Sequence, residues 1–181
     1  PITNKETTIT LTVTSESGRS RNYVINVTKD EVEEGQTVEL SYILDNIGIK
    51  YNDKYIYGIK EDTGIQSLID NVSNVNSYAS ATIKDKDGNN KTSGIFKTGD
   101  TVTISNSKEE ITLTILIYGD ITGDGIIDKL DYLAVLRHYY GYISLEGVYK
   151  EAADAKKDGT IDKLDYLAIL RDYYGYASIE Q

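Results

Sequence analysis

The stretch Asp120-Ile-Thr-Gly-Asp-Gly-Ile-Ile-Asp-Lys-Leu-Asp131 is followed by a second version of itself, Asp154-Ala-Lys-Lys-Asp-Gly-Thr-Ile-Asp-Lys-Leu-Asp165. The second copy begins 34 residues after the first, and the likeness continues beyond both copies. Positions 127–146 agree with positions 161–180 at 16 of 20 places. Because one such stretch could be an ordinary turn but a repeat of this length could not, the C-terminal part of the chain is a duplicated unit.

The acidic residues of each copy stand at the first, fifth, ninth and twelfth places, with glycine at the sixth. This spacing is that of an EF-hand-type loop, which wraps roughly six to eight oxygen ligands around Ca²⁺ and turns sharply at the glycine. The sequence therefore predicts two bound calcium ions. The predicted ligands are Asp120, Thr122, Asp124, the carbonyl of Ile126, Asp128 and Asp131 at the first site, and Asp154, Asp158, the carbonyl of Thr160, Asp162 and Asp165 at the second.

The third place distinguishes the two loops, because it holds Thr122 in the first and Lys156 in the second. A threonine hydroxyl can offer an oxygen to calcium. A lysine cannot, and its positive charge a few ångströms away opposes the binding of a cation. We predict that both sites bind calcium and that the second binds it more weakly.

Each loop runs into a segment with helical periodicity that carries two neighbouring stripes. One stripe is apolar and predicts a core face; in the first copy it consists of Tyr132, Val135, Leu136 and Tyr139. The other mixes leucine, small residues and arginine, and consists of Leu130, Ala134, Arg137 and Gly141, repeated as Leu164, Ala168, Arg171 and Gly175. We interpret this mixed stripe as a surface for a protein partner. The alternative is a second core face that packs on the preceding part of the chain.

Composition excludes several classes of function. The net charge of −10 leaves no basic stripe for nucleic acid, and no apolar run approaches the roughly 20 residues that would insert into a membrane. The chain has no cysteine, so it has neither disulfide nor zinc–thiolate site. His138 has no second histidine or cysteine as a partner, and we expect it to face solvent. Without a nucleophile or phosphate-loop motif, we predict that this stretch is not an enzyme.

The rest of the chain predicts mainly β structure. Alternation in residues 1–29 predicts a β-hairpin, and the acidic segment 30–36 predicts a linker. Residues 37–118 predict a β-rich unit with strands over 38–44, 55–59, 80–84, 101–104 and 111–118, and one helix that begins after an N-cap at Thr63. Residues 85–90 start like a third calcium loop, but no acidic residue follows at the ninth or twelfth place, so a hairpin turn is predicted. No flexible linker precedes Asp120.

The duplicated pattern GD-x-x-GDG-x-I-D-x-x-D resembles a type I dockerin domain over residues 119–181. The resemblance implies a module that binds cohesin domains of scaffold proteins in cellulosome-type assemblies. It implies recognition by Lys129, Leu130, Leu136 and Arg137 on the first helix and by Lys163, Leu164, Leu170 and Arg171 on the second; the mixed stripe adds Ala134 and Ala168.

Two weaker resemblances concern the preceding residues. The phrase Lys97-Thr-Gly-Asp, with Ile117-Tyr-Gly-Asp120, is similar to the X-like β modules that precede dockerins in clostridial proteins, and residues 8–27 resemble the closing strands of a cadherin-like β-sandwich repeat. Since the sequence begins at Pro1 without a methionine, we expect a fragment of a longer protein, which can carry a glycoside hydrolase or another module.

The combined prediction is a multi-domain chain of mainly β, sandwich-like N-terminal modules, followed by an all-α dockerin domain with two EF-hand-like calcium loops. Its domains are 1–29, the linker 30–36, the spacer 37–118 and the dockerin 119–181. We expect an extracellular, non-catalytic adaptor that attaches its parent protein to a cohesin on a cellulosome-type scaffold or cell surface and that can associate with polysaccharide through that parent. The alternatives are a calcium-rigidified surface stalk or adhesin, and a carbohydrate-binding β module that uses Tyr51, Tyr55 and Tyr57.

Overall fold

A computed structural model describes residues 6–28 and 38–181 of the chain. The chain divides into two compact units, Pro1–Gln36 and Thr37–Gln181. The linker predicted for residues 30–36 lies outside the described residues. Among the residues that are described, no helix is long and apolar enough to cross a membrane.

The first unit contains an antiparallel hairpin of strands β1 (Glu6–Thr14) and β2 (Ser20–Thr28). The turn between them is closed by the amide of Gly18, which donates to the carbonyl of Ser15 at 2.9 Å. Ile9 pairs with Ile25 and Leu11 with Tyr23, and all four side chains are exposed. Such a face is typical of a hairpin that packs on further structure, so its assignment to the end of a β-sandwich stays a prediction.

The second unit combines five helices with a six-stranded sheet in its described residues. Its elements in chain order are α1 (Leu40–Asn46), β3 (Lys50–Tyr51), β4 (Tyr55–Tyr57), α2 (Gln66–Val75), β5 (Ser80–Lys84), β6 (Asn90–Lys91), β7 (Thr101–Ser105), β8 (Glu110–Ile115), α3 (Lys129–Tyr139), α4 (Gly147–Ala153) and α5 (Lys163–Tyr173). The strand order is β3-β4-β8-β7-β5-β6. Strands β4 and β8 are parallel, and the other neighbours are antiparallel.

One core lies between the sheet and helices α1 and α2. Strands β5 and β7 alternate buried and more exposed residues, so that Ile83 and Ile104 point into this core. Ile43 of α1 and Val72 of α2 cover them and are fully buried. A second, smaller core is formed by the C-terminal helices around Val135 of α3 and Ile169 of α5.

The predicted fold class is wrong. Mainly β modules and a separate all-α domain were expected, but the described residues form a mixed α/β structure. Residues 37–118 hold two helices, and helices α3 to α5 belong to the same compact unit as the sheet. The clearest local error is the strand predicted over 38–44, where α1 lies. Leu40 and Leu44 alternate with polar residues, which suggests a strand. Together with Ile43, however, they have the spacing of one helix face, and all three are buried on that face.

Other local predictions had mixed outcomes. The turn predicted at residues 85–90 is confirmed, because the amide of Asp85 donates to the carbonyl of Asn89 at 2.9 Å between β5 and β6. The N-cap predicted at Thr63 is wrong: α2 starts after Ile65, and its start has no side-chain cap. The carbonyl of Thr63 instead accepts from the amide of Phe96. The short helix α4 between the two loops was not predicted.

Candidate functional site

The two acidic loops start helices α3 and α5 in the same way. Asp128 is the N-cap of α3, and its carboxylate accepts a hydrogen bond from the amide of Leu130 at 2.6 Å. The carboxylate of Asp131 accepts from the amide of Asp128 at 2.8 Å, which completes a capping box. Asp162 and Asp165 form the same box at the start of α5. The ninth and twelfth residues of each loop therefore set where its helix begins.

The remaining carboxylate oxygens close the first loop on itself. Asp131 Oδ1 accepts from the amides of Ile121 and Thr122 at 2.9 and 2.8 Å. Asp120 accepts from the amide of Asp124 through Oδ1 at 3.0 Å and from Gly125 through Oδ2 at 3.2 Å. The first and twelfth residues thus gather the loop backbone around themselves.

The second loop has the equivalents of three of these four bonds. Asp154 accepts from the amides of Asp158 and Gly159 at 3.0 and 2.8 Å, and Asp165 accepts from the amide of Lys156 at 3.0 Å. The side chain of Lys156 is exposed. The repeat in sequence is therefore also a repeat in backbone hydrogen bonding.

Three of the loop carboxylates are buried without a cationic partner. Asp120, Asp131 and Asp165 are fully buried, and within the described residues none of them forms an ion pair with lysine, arginine or histidine. Burial raises the pKa of the Asp131 carboxyl to about 6, and the neighbouring Asp120 contributes to this shift. Burial also raises the pKa of Asp120 and of Asp165. Since isolated buried anions are costly, these positions favour an added cation.

The chemistry of the donors fits calcium. Each loop offers only carboxylate, hydroxyl and carbonyl oxygens, which are the ligands that a hard divalent cation prefers. In the part of the chain that the structure describes, however, no three acidic or histidine side chains are already arranged to hold a metal. Asp124 and Asp158 instead accept hydrogen bonds from nearby amides of their own loops. When bound, calcium would supply the positive charge that the buried carboxylates lack.

The predicted partner-binding residues divide by exposure. Leu130 and Leu164 are exposed by 50% and 47%, and Arg137 and Arg171 are also exposed. Lys129 and Lys163 are exposed at the start of each helix. Half-buried positions hold Ala134, Leu136, Ala168 and Leu170, and the two alanines pack against the small core.

Sequence reasoning missed two exposed leucines on the same helices. Leu133 and Leu167 lie one turn after Leu130 and Leu164 and are exposed by 40% and 38%. Beside α5, Leu167 contributes to a cleft of about 420 Å³, which is lined by Lys156, Leu164, Leu167, Ala168 and Arg171. The signal that could have found them is their i+3 spacing from the predicted leucines.

The expectation that His138 faces solvent is wrong. Its side chain is half-buried, and its Nδ1 accepts a hydrogen bond from the amide of Leu145 at 3.2 Å. Asp172 does the same in the second copy, because its carboxylate accepts from the amide of Ile179. His138 and Asp172 therefore have the same structural task, which is to hold the segment that follows each helix.

The third place of the second loop offers a direct test of the ligand prediction. Replacing Lys156 by asparagine removes a positive charge and supplies an amide oxygen, so we expect Lys156→Asn to raise the calcium affinity of the second site about tenfold. Calcium titration by calorimetry would measure this change. Lys157→Asn is the matched control, since it removes a neighbouring charge at a place that does not ligate. Equal effects of the two substitutions would contradict the ligand argument.

Two closed acidic loops, each leading into a capped helix and joined by a shared small core, define a duplicated calcium-loop module. Residues 118–172 match a family model described as the dockerin type I domain. The match covers 55 of the 181 residues and supports a type I dockerin in this part of the chain. It does not extend to the X-like and cadherin-like segments, whose resemblances stay predictions. No curated protein and no solved structure matches the chain.

The family that residues 118–172 match has well-defined general properties. A dockerin is a non-catalytic module that binds calcium and, in a calcium-dependent way, a cohesin domain. The number of ions, the residues that ligate them and the identity of the partner are finer questions that the match leaves to proposal.

Proposed function

We propose that this chain is an extracellular adaptor whose two loops each bind one calcium ion and whose helices α3 and α5 bind a cohesin. The observation that carries the proposal is the burial of Asp120, Asp131 and Asp165 without any cationic partner in the described residues. A calcium ion in each loop would compensate this charge. The ligands we propose are those that the sequence predicts for the two sites.

The proposed partner surface is the exposed part of the repeated helix faces. Leucine and arginine side chains that remain exposed beside a small core are typical interface anchors. Leu130 with Arg137, and Leu164 with Arg171, provide such a pair on each helix. The cleft beside α5 is lined by three apolar side chains and by the basic side chains of Lys156 and Arg171, which suits an apolar residue next to a carboxylate on the cohesin.

A carbohydrate-binding role for residues 37–118 has less support. Tyr51, Tyr55 and Tyr57 are all half-buried, and Tyr51 packs against the core between the sheet and the helices. The hydroxyl of Tyr51 also donates to Asp45 at 3.2 Å. Sugar rings stack on open aromatic faces, and these three side chains do not provide a row of them.

The test of the proposed function is capture of the intact chain by immobilised cohesin domains of several types. We expect at least one cohesin to retain the chain in the presence of calcium and to release it when a chelator is added. The control is the variant Asp124→Ala with Asp158→Ala, which should not be retained even in calcium. Capture that persists in the chelator would contradict the calcium dependence. No capture by any cohesin would contradict the adaptor and favour the stalk.

A further inference from the structure

The two calcium loops differ in how they are held, although their sequences are repeats. Asp120 is fully buried and accepts a third hydrogen bond from outside its loop, from the amide of Thr98 to Oδ2 at 2.8 Å. Its counterpart Asp154 is partly exposed and accepts only from amides of its own loop among the described residues. The first loop is thus bonded to the turn before β7, and no equivalent bond to Asp154 is present among the described residues.

A second contact fixes the peptide whose carbonyl is a predicted calcium ligand. The amide of Ile127 donates to Glu61 Oε2 at 2.6 Å. The carbonyl of the same peptide unit belongs to Ile126. Because the carbonyl and the N–H of a trans peptide point in opposite directions, the bond to Glu61 on one side orients the Ile126 carbonyl towards the other side. A charged acceptor also makes this hydrogen bond strong and polarises the carbonyl.

The neighbouring peptide is held as well. The amide of Asp62 donates to the carbonyl of Gly125 at 3.1 Å. In the second loop, the corresponding groups are the amide of Ile161 and the carbonyl of Gly159, and neither has a hydrogen bond to residues 38–118. The segment 61–62 therefore positions the first loop on both sides of the Ile126 carbonyl and has no counterpart at the second.

Close packing shows the same difference. A Cβ atom added at Gly125 would lie 2.5 Å from the carbonyl oxygen of Phe96, whereas one added at Gly159 would meet nothing within 4 Å. Both glycines have a similar positive φ, +88° and +83°. Gly123 is also confined, because a Cβ atom added there would lie 2.8 Å from the carbonyl oxygen of Thr98. The second copy has Lys157 at the equivalent place. The first loop is therefore packed closely against residues 95–98 at its two glycines, whereas the glycine of the second loop has open space beside it.

The turn that supports the first loop is itself anchored. The carboxylate of Asp100 is almost fully buried, pairs with the ammonium of Lys91 and accepts from the amide of Lys97 at 3.0 Å. Lys91 also donates to the carbonyl of Ile95 at 2.8 Å. None of these bonds involves a residue of the calcium loop, so the segment 95–100 has its own anchor and can act as a fixed wall for the loop.

We propose that the first calcium site is a composite of the loop 120–131 with Glu61 and the turn 95–98, and that Glu61 and the Thr98 amide are positioning groups for it. This inference rests on the proposed calcium binding. It follows that residues 38–118 raise the calcium affinity of the first site. Calcium bound at this site should in turn stabilise residues 95–100. The second site lacks this coupling.

The test is calcium chloride titration of the intact chain by calorimetry, with one site weakened at a time. Asp158→Ala leaves the first site as the reporter, and Asp124→Ala leaves the second. Adding Glu61→Ala should lower the affinity of the first site by roughly ten- to a hundredfold, and leave the second unchanged. Glu61→Gln, which keeps an acceptor oxygen, should lie between the wild type and Glu61→Ala.

A pair of glycine substitutions provides an independent measurement. Gly125→Ala and Gly159→Ala introduce the same backbone strain, each in its own loop. If Gly125→Ala lowers the calcium affinity of its site more than Gly159→Ala does, the difference reports the contact with Phe96. Should Gly125→Ala fail to fold, amide exchange in the unaltered chain still decides. We expect calcium to slow exchange of the Thr98 amide more than that of amides in β1 and β2.

The outcomes separate the inference from the function on which it rests. A wild-type chain that takes up no calcium would overturn both. Two calcium sites that Glu61→Ala affects equally or not at all, together with an unchanged exchange rate at Thr98, would overturn the composite site alone. A loss confined to the first site, with slowed exchange at Thr98, is the result that supports it.

Discussion

Chelation of calcium from the intact chain is expected to abolish most of the helical signal of α3, α4 and α5. Residues 119–181 carry twelve acidic and seven basic side chains, a net charge of −5 that two calcium ions would reduce to −1. Without metal, the buried carboxylates of Asp120, Asp131 and Asp165 have no compensating charge. The free energy of calcium binding is therefore also free energy of folding for this region.

Circular dichroism at 222 nm would measure this loss. Helices α3 to α5 hold more than half of the helical residues in the described part of the chain, so the change is expected to exceed half of the helical signal. The core around Ile43, Val72 and Ile104 does not include the loops, and we expect it to persist. Re-addition of calcium is the control and should restore the signal. A spectrum that stays the same after chelation would contradict the role of calcium in folding.

The second large effect is the loss of cohesin binding when the anchors are removed from both helices. Because α3 and α5 carry the same leucine and arginine anchors, a rotation of about 180° offers a partner nearly the same surface. If either helix suffices, Leu130→Ala with Arg137→Ala should weaken binding only a few-fold, and so should Leu164→Ala with Arg171→Ala. All four substitutions together should abolish binding, which is a strongly non-additive result.

Binding should be measured by calorimetry with the cohesin that captures the chain. The matched control replaces Lys150 and Glu151 of α4 by alanine, because these exposed side chains lie outside the proposed surface. A complete loss from one pair alone would show that a single orientation is used. The cleft beside α5, with Lys156 where the first copy has Thr122, would then favour the α5 face. Unchanged binding after all four substitutions would show that the mixed stripe is not part of the interface.

Local patterns in the sequence account for what was predicted at the candidate site. The loop is determined by four aspartates at fixed places within twelve residues: Asp120, Asp124, Asp128 and Asp131. Two of them, Asp128 and Asp131, also determine the start of the helix through the capping box. This information lies within a few residues, so the duplicated copy could be interpreted in the same way. Helices α3 and α5 accordingly follow the loops where the periodicity predicts them.

Contacts between distant residues could not be predicted in this way. The bond of Glu61 to Ile127 spans 66 positions, and that of Thr98 to Asp120 spans 22. Neither Glu61 nor Thr98 belongs to a motif, and only the folded sheet brings them to the first loop. The missing linker before Asp120 predicts that the two regions are held against each other, and they do form one compact unit. The sequence does not show which distant residues make the contacts, nor that helices lie within the region predicted as mainly β.

Short segments were the other source of error. In α1 the apolar residues satisfy both alternation and helical spacing over seven residues, and packing against α2 and β3 decides between them. Helix α4 is equally short and begins at Gly147, which gives no N-cap signal. The lack of a second histidine or a cysteine predicts a surface position for His138, but its partner is a backbone amide, which has no signature in the sequence.

Calcium titration of the unaltered chain, first freed of metal, tests the central claim most directly. The account predicts that two calcium ions bind per chain, that the first site binds more tightly than the second, and that the helical signal rises as they bind. A chain that is fully helical without calcium and takes up none would contradict the account, because the buried aspartates would then need no cation.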